Sequence, residues 1–158
     1  MRCFTLALGS RAAQMQFVAD PRTLQQVVDM AEEFGEEELV SNSLKVIRQL
    51  VGNDQARATI FLSFPNLFSW MIHILTANAG SKPILIEGAL ALRTGLASES
   101  RIRDSSYLKP GQVRGLVEAL AAEPGAMREP ALQGLVKELY KFPSLEALVG
   151  PLFRAQKR

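Results

Sequence analysis

Two kinds of helix punctuation recur in this chain at one spacing. Pro21, Pro65 and Pro110 are separated by 44 and 45 residues, and Gly35, Gly80 and Gly125 follow them at a distance of 14 or 15. Self-similarity at a fixed period of this size is a property of repeat architectures, in which each unit buries its apolar face only against its neighbours.

The residues between each proline and glycine carry the same pattern. Leu24, Val27, Val28 and Ala31 in the first unit match Phe68, Met71, Ile72 and Leu75 in the second and Val113, Leu116, Val117 and Leu120 in the third. Spacing of i, i+3, i+4, i+7 is one buried face of an α-helix. Proline suits the first helical position, where its missing N–H would be unpaired, and glycine suits the end because it adopts φ > 0 without cost. Each Pro-to-Gly segment is therefore expected to be a helix.

A second helix is expected after each glycine. Val46 and Leu50 close the first of these, Ile86, Ala89, Leu92 and Leu96 mark the second, and Leu132, Leu135, Val136 and Leu139 mark the third. Ala89 and Gly134 are small enough for helices to approach closely there. Shorter polar stretches, Asp54 to Phe61 and Glu99 to Tyr107, lead to the next proline, with Asn53 and Ser98 before them as N-caps. The unit is one short helix and two longer ones.

The last unit is shortened. Leu145, Leu148, Val149 and Leu152 after Pro143 repeat the proline-started helix, but Pro143 comes only 33 residues after Pro110. No segment reads as a strand. Residues 1–19 stand apart from the repeat domain, assigned to residues 20–158. They carry Arg2 and Arg11 and no acid, as either an extra terminal helix or a retained targeting-like segment would.

These units resemble the armadillo repeat, with HEAT as the neighbouring family. The resemblance is carried by FPNLFSWMIHIL, KPGQVRGLVEAL and FPSLEALVGPLF for the middle helix and by EGALALRTGLAS and REPALQGLVKEL for the third, and it spans roughly Pro21 to Phe153. It implies an all-α fold, a right-handed α-solenoid of about three repeats with the final one truncated, whose third helices line a concave surface. Armadillo proteins that bind extended basic peptides present a Trp and an Asn on successive third helices. Those helices hold no Trp here and Asn42 lies too near its helix start, so binding of nuclear-import signals is disfavoured.

Composition narrows the function classes. In 158 residues there are 18 Lys and Arg against 16 Asp and Glu, too even a balance for a binder that acts mainly by neutralising phosphates. Cys3 is the sole cysteine and His73 the sole histidine, so no internal disulfide and no cysteine-based zinc site can form within the chain. A reducing, intracellular setting follows, in cytoplasm or mitochondrion. Charged residues interrupt every apolar run short of the roughly 18 residues that a membrane span needs.

His73 shares its offset with Asp29 and Glu118 and belongs on a solvated face. A Cys3–His73 catalytic pair would have to bridge distant repeats, and no phosphate-binding glycine loop is present. The glutamates around Gly35 fit a solvated helix start, where negative charge complements the macrodipole. Trp70 shares its offset with Gln26 and Gly115, and it either faces a partner or fills space under the neighbouring short helix.

The expectation is a non-catalytic scaffold or accessory subunit without a cofactor, held among the proteins of a larger assembly. RNA binding through Arg101, Arg103, Arg154, Lys157 and Arg158 is one alternative, and client binding like that of armadillo exchange factors for the chaperone Hsp70 is another. Two candidate surfaces stand out. Arg48 and Arg93 are 45 residues apart and Lys137 follows after 44, which sets a basic row along the groove. Leu148, Leu152 and Phe153 are expected to form an uncovered apolar face at the C-terminal end, where a partner or a second copy would dock.

Overall fold

A computed structural model describes residues 8–98, 108–123 and 125–155. Among these the chain is all-α, with nine α-helices, one 3-10 turn and no strand. In chain order they are α1 (Arg11–Ala19), α2 (Pro21–Phe34), α3 (Glu37–Val51), α4 (Asp54–Ser63), α5 (Leu67–Ala77), α6 (Lys82–Ser98), α7 (Pro110–Ala122), α8 (Pro130–Leu139) and α9 (Glu146–Ala155). The 3-10 turn, Ala126–Arg128, sits between α7 and α8.

The proline and glycine signals act as expected where the local chain supports them. Pro21 and Pro110 occupy first-turn positions of α2 and α7. Asp20 caps α2 by accepting from the Arg22 backbone N–H at 3.0 Å. The Arg22 side chain also donates to that carboxylate, and this hydrogen bond leads the causes that hold the Asp20 carboxyl below its ordinary value. The charged cap is thus lost only as pH falls through that lowered value. Gly35 ends α2 at φ 61°, and its N–H donates to the Ala31 carbonyl.

Other signals mark turns and not helix ends. Pro65 does not open α5. The Leu67 N–H donates to the Phe64 carbonyl at 3.1 Å, so Pro65 and Asn66 are the middle of a tight turn, and α4 and α5 bend by 90° there. Gly80 does not close α5 either: the helix ends at Ala77, and the Asn78 side chain donates to the Ile74 carbonyl at 2.8 Å. Gly125, at φ 90°, begins the 3-10 turn instead of capping α7. Pro143 lies in a turn before α9, which starts at Glu146. Ser98 ends α6, and Glu99 to Tyr107 lie outside the described residues.

The polar anchors come from the short helices. Asn53 caps α4 by accepting from the Gln55 and Ala56 N–H groups, while its amide donates to Gln14 Oε1 on α1 at 2.9 Å. Gln14 in turn donates to the Leu8 carbonyl at 2.8 Å. Arg57, only 6% exposed, donates to the Val51 carbonyl at 2.8 Å and to Asp54 at 2.7 Å. It thereby satisfies an orphan carbonyl at the end of α3, which would otherwise be buried unpaired.

The core is one apolar cluster to which every α-helix contributes. Its largest helix contacts are α3 against α6 and α6 against α8; α5 packs on α6 and α7, and α9 on α7 and α8. The pairs α3–α6 and α6–α8 run parallel, because starts meet starts: Ser81 donates to Glu37 at 2.6 Å and Lys82 pairs with Glu129 at 2.7 Å. Leu24, Val27, Val28 and Ala31 on α2, and Phe68, Met71, Ile72 and Leu75 on α5, are buried as their spacing predicts; Val117 and Ile86 are only partly so. Trp70 is also buried, at 8% exposure, and fills interior space.

The close approaches on α6 fall at glycines that the sequence pattern does not single out. A Cβ at Gly88 would lie 2.6 Å from Leu75 Cδ2, and one at Gly95 would lie 2.7 Å from Phe68 Cζ. The helix is cut away at these two points to admit large side chains of α5. Leu92, between them, is wholly buried. Leu92→Ala is expected to cost about 2 to 5 kcal/mol in urea unfolding, as deletion of a buried branched side chain does. A loss under about 0.5 kcal/mol would place Leu92 outside the core.

Candidate functional site

Helices α3, α6 and α8 lie side by side, and their buried positions fix which residues correspond. Val40, Leu44, Ile47 and Val51 on α3 are matched 45 positions on by Leu85, Ala89, Leu92 and Leu96. From α6 to α8 the shift is 47: Ile84, Leu85, Ala89 and Leu92 correspond to Ala131, Leu132, Val136 and Leu139. Arg48 and Arg93 share a position in the first of these alignments. In the second, Arg93 aligns with Tyr140, just past the end of α8, and Lys137 with Leu90. The 44-residue spacing that pairs Lys137 with Arg93 also matches buried positions, Gly88, Ala91, Leu92 and Gly95 with Leu132, Leu135, Val136 and Leu139.

Each arginine leans across to the next helix in the row, and the two land on corresponding positions. The Arg48 guanidinium approaches Glu87 Oε2 at 3.5 Å. At 47 residues beyond Glu87 stands Gly134, and there the Arg93 side chain lies so close that a Cβ would meet its Nη1 at 2.8 Å and its Cδ at 3.0 Å. Gly134 is thus a seat for an arginine and not the helix–helix contact that its size suggests.

The two seats differ in charge. Glu87 has a side chain only 16% exposed, and its Oε2 is buried and accepts no hydrogen bond. At 3.5 Å, Arg48 offsets that charge without a well-formed hydrogen bond. With Arg48 38% exposed, such a pair is worth about 0 to 1 kcal/mol. Arg93 is exposed and rests on a residue without a side chain. Lys137 is exposed one turn beyond Gly134, on the same side of α8. Glu138, the nearest acid in sequence, has both oxygens held by Lys141 at 2.8 Å.

The apolar face expected at α9 is smaller than its sequence pattern suggests. Leu152 is 7% exposed and belongs to the core. Leu148 and Phe153 are half-buried against the same cluster, and the Phe153 ring stacks on Tyr140 with centroids 4.4 Å apart. The α9 helix folds back onto α7 and α8, which covers most of the surface that its apolar spacing predicted to be open. The most exposed large apolar side chains among the described residues are Leu62 at 87% and Phe34 at 58%, on α4 and α2.

His73 is exposed, as its offset predicts, beside Glu32 and Asn78 in a depression of about 430 Å³. A second depression of about 290 Å³ lies among Gly80, Lys82, Glu123 and Glu129, where Lys82 and Glu129 already neutralise one another. Among the described residues no group of three His, Cys, Asp or Glu side chains is placed to hold a metal ion. No single described helix is long and apolar enough to cross a membrane. Cys3, Arg101, Arg103, Lys157 and Arg158 lie outside the described residues.

No protein-family model matches the chain, and neither does any curated protein or solved structure.

The unequal seats separate two glycines by their effect on folding. Gly134→Ala is expected to raise stability by about 0.5 to 1 kcal/mol, since alanine is the better helix former and only the flexible end of Arg93 must move. Gly88→Ala is expected to lower it, because the packed Leu75 side chain stands in the way. Urea midpoints of the two variants moving in the same direction would contradict this reading.

Proposed function

We propose that this chain is a non-catalytic interaction module, an armadillo-like right-handed α-solenoid that holds an acidic segment of a partner protein against the face formed by α3, α6 and α8. One observation carries the reading. Helices α3, α6 and α8 pack in a row, Arg48 reaches Glu87 on α6, Arg93 rests on Gly134 of α8, and Lys137 is exposed one turn further along α8.

Arginine suits this task because its planar fork donates two hydrogen bonds to one carboxylate, and a charge-assisted pair of this kind is stronger than a neutral one. A protein ligand is favoured over RNA by the near balance of charge, 18 basic against 16 acidic residues, and by the burial of Trp70, which removes an aromatic platform for base stacking. An exchange-factor role on the chaperone Hsp70 is the narrower form of the same reading, and an intracellular location in cytoplasm or mitochondrion accords with it. The half-buried Phe153 and Leu148 offer a smaller secondary contact, to a partner or to a second copy.

The test is co-purification from cells with the double variant Arg48→Glu, Arg93→Glu. Capture of the acidic partner is expected to fall by about tenfold or more, with helicity nearly unchanged because neither residue is in the core, and with the melting temperature lowered only by the like-charge contact that Arg48→Glu sets beside Glu87. Undiminished capture of every partner would move the interface off this face.

A further inference from the structure

The two groove arginines hold corresponding positions, yet their surroundings assign them different work. Arg48 lies 3.5 Å from Glu87, a carboxylate whose nearer oxygen is buried and has no hydrogen-bond donor. That residual negative charge is set into the same surface an acidic ligand would approach, and it offsets Arg48 from within the chain. Arg93 rests on Gly134, the residue in the place of Glu87 one step further along the row. No carboxylate among the described residues lies within ion-pair distance of its guanidinium, and the acid one turn from its seat, Glu138, is engaged with Lys141.

We infer that ligand recognition is concentrated at the α6–α8 step, where Arg93 and Lys137 together receive a pair of carboxylates spaced one turn apart on an acidic helical segment of a partner protein. Gly134 is the positioning residue of this site. It has no Cβ, so the Arg93 guanidinium rests directly on α8, one turn before Lys137. The α3–α6 step is the counterpart in which the chain supplies its own carboxylate, and Glu87 there excludes a second acidic contact by like-charge repulsion. This rests on the groove reading above and narrows it from a basic row to one step.

The experiment is fluorescence anisotropy with the full chain and a labelled helical peptide bearing glutamates one turn apart, read beside a single-stranded RNA of equal length. Arg93→Gln is expected to weaken peptide binding by about tenfold, the worth of a lost charge-assisted hydrogen bond, and Arg48→Gln by less than about twofold. Gly134→Glu, which places at the second step the charge that Glu87 places at the first, is expected to abolish binding. Glu87→Gln is expected to tighten it by uncovering Arg48. Circular dichroism melts check each fold, and if Gly134→Glu does not fold, the contrast between the two arginine variants decides.

Equal losses at Arg48 and Arg93 would overturn the inference while leaving the groove reading in place. Failure of the parent chain to bind the peptide, with partner capture still lost in the double glutamate variant, would overturn only the ligand class. Failure of both would remove the groove as well. Tighter binding of the RNA than of the peptide would also overturn it.

Discussion

The burial of α6 between α3 and α8 is the constraint on which the other placements depend. It is the longest helix described, and Ile84, Leu85, Ala89, Ala91, Leu92 and Leu96 all lose contact with water there. A helix enclosed on several sides must give way somewhere. It does so at Gly88 and Gly95, where Leu75 and Phe68 of α5 enter space that any side chain would occupy. Those two contacts set how closely α5 lies on α6, and α5 in turn supports α7. Each glycine costs helix propensity, offset by the aliphatic and aromatic surface that it lets approach.

Polar groups tie the shorter helices to this frame. Arg57 reaches back to the last carbonyl of α3, that of Val51, and Asn53 serves two roles, capping α4 and bonding Gln14 on α1. The buried Arg57 meets the Val51 carbonyl through Nη1 and the Asp54 carboxylate through Nη2. The same economy is absent at Glu87, whose buried oxygen has no donor. Glu87 is instead offset only by Arg48 at 3.5 Å, whereas Arg93 rests on Gly134, and that difference separates the two arginines.

Much of this architecture is legible in the sequence, and the residues show why. The i, i+3, i+4, i+7 sets of α2 and α5 are buried to the last member because helical period and apolar type act locally. Asn53 as a cap and Pro21 as a first-turn residue are legible for the same reason. Pro65, Gly80 and Pro143 were not, because a proline or glycine signals a break without saying on which side of it the helix resumes. The turn at Phe64 to Leu67 and the Asn78 side chain decide those ends. Trp70 shares its offset with two residues that are not core types, and only packing shows it to be interior.

The candidate site divides along the same line. By itself the sequence determined the all-α class and the buried faces of α2 and α5, since each follows from spacing within a helix. Tertiary structure decided the rest. The contact of Arg93 with Gly134 depends on how α6 packs against α8, which the spacing within either helix does not specify. Whether an arginine is offset by a neighbour depends on what stands across the interface, Glu87 in one case and Gly134 in the other. Burial of Leu152 required α9 to fold back onto α7 and α8, a long-range choice made by the summed apolar contact and invisible to a pattern read along a single helix.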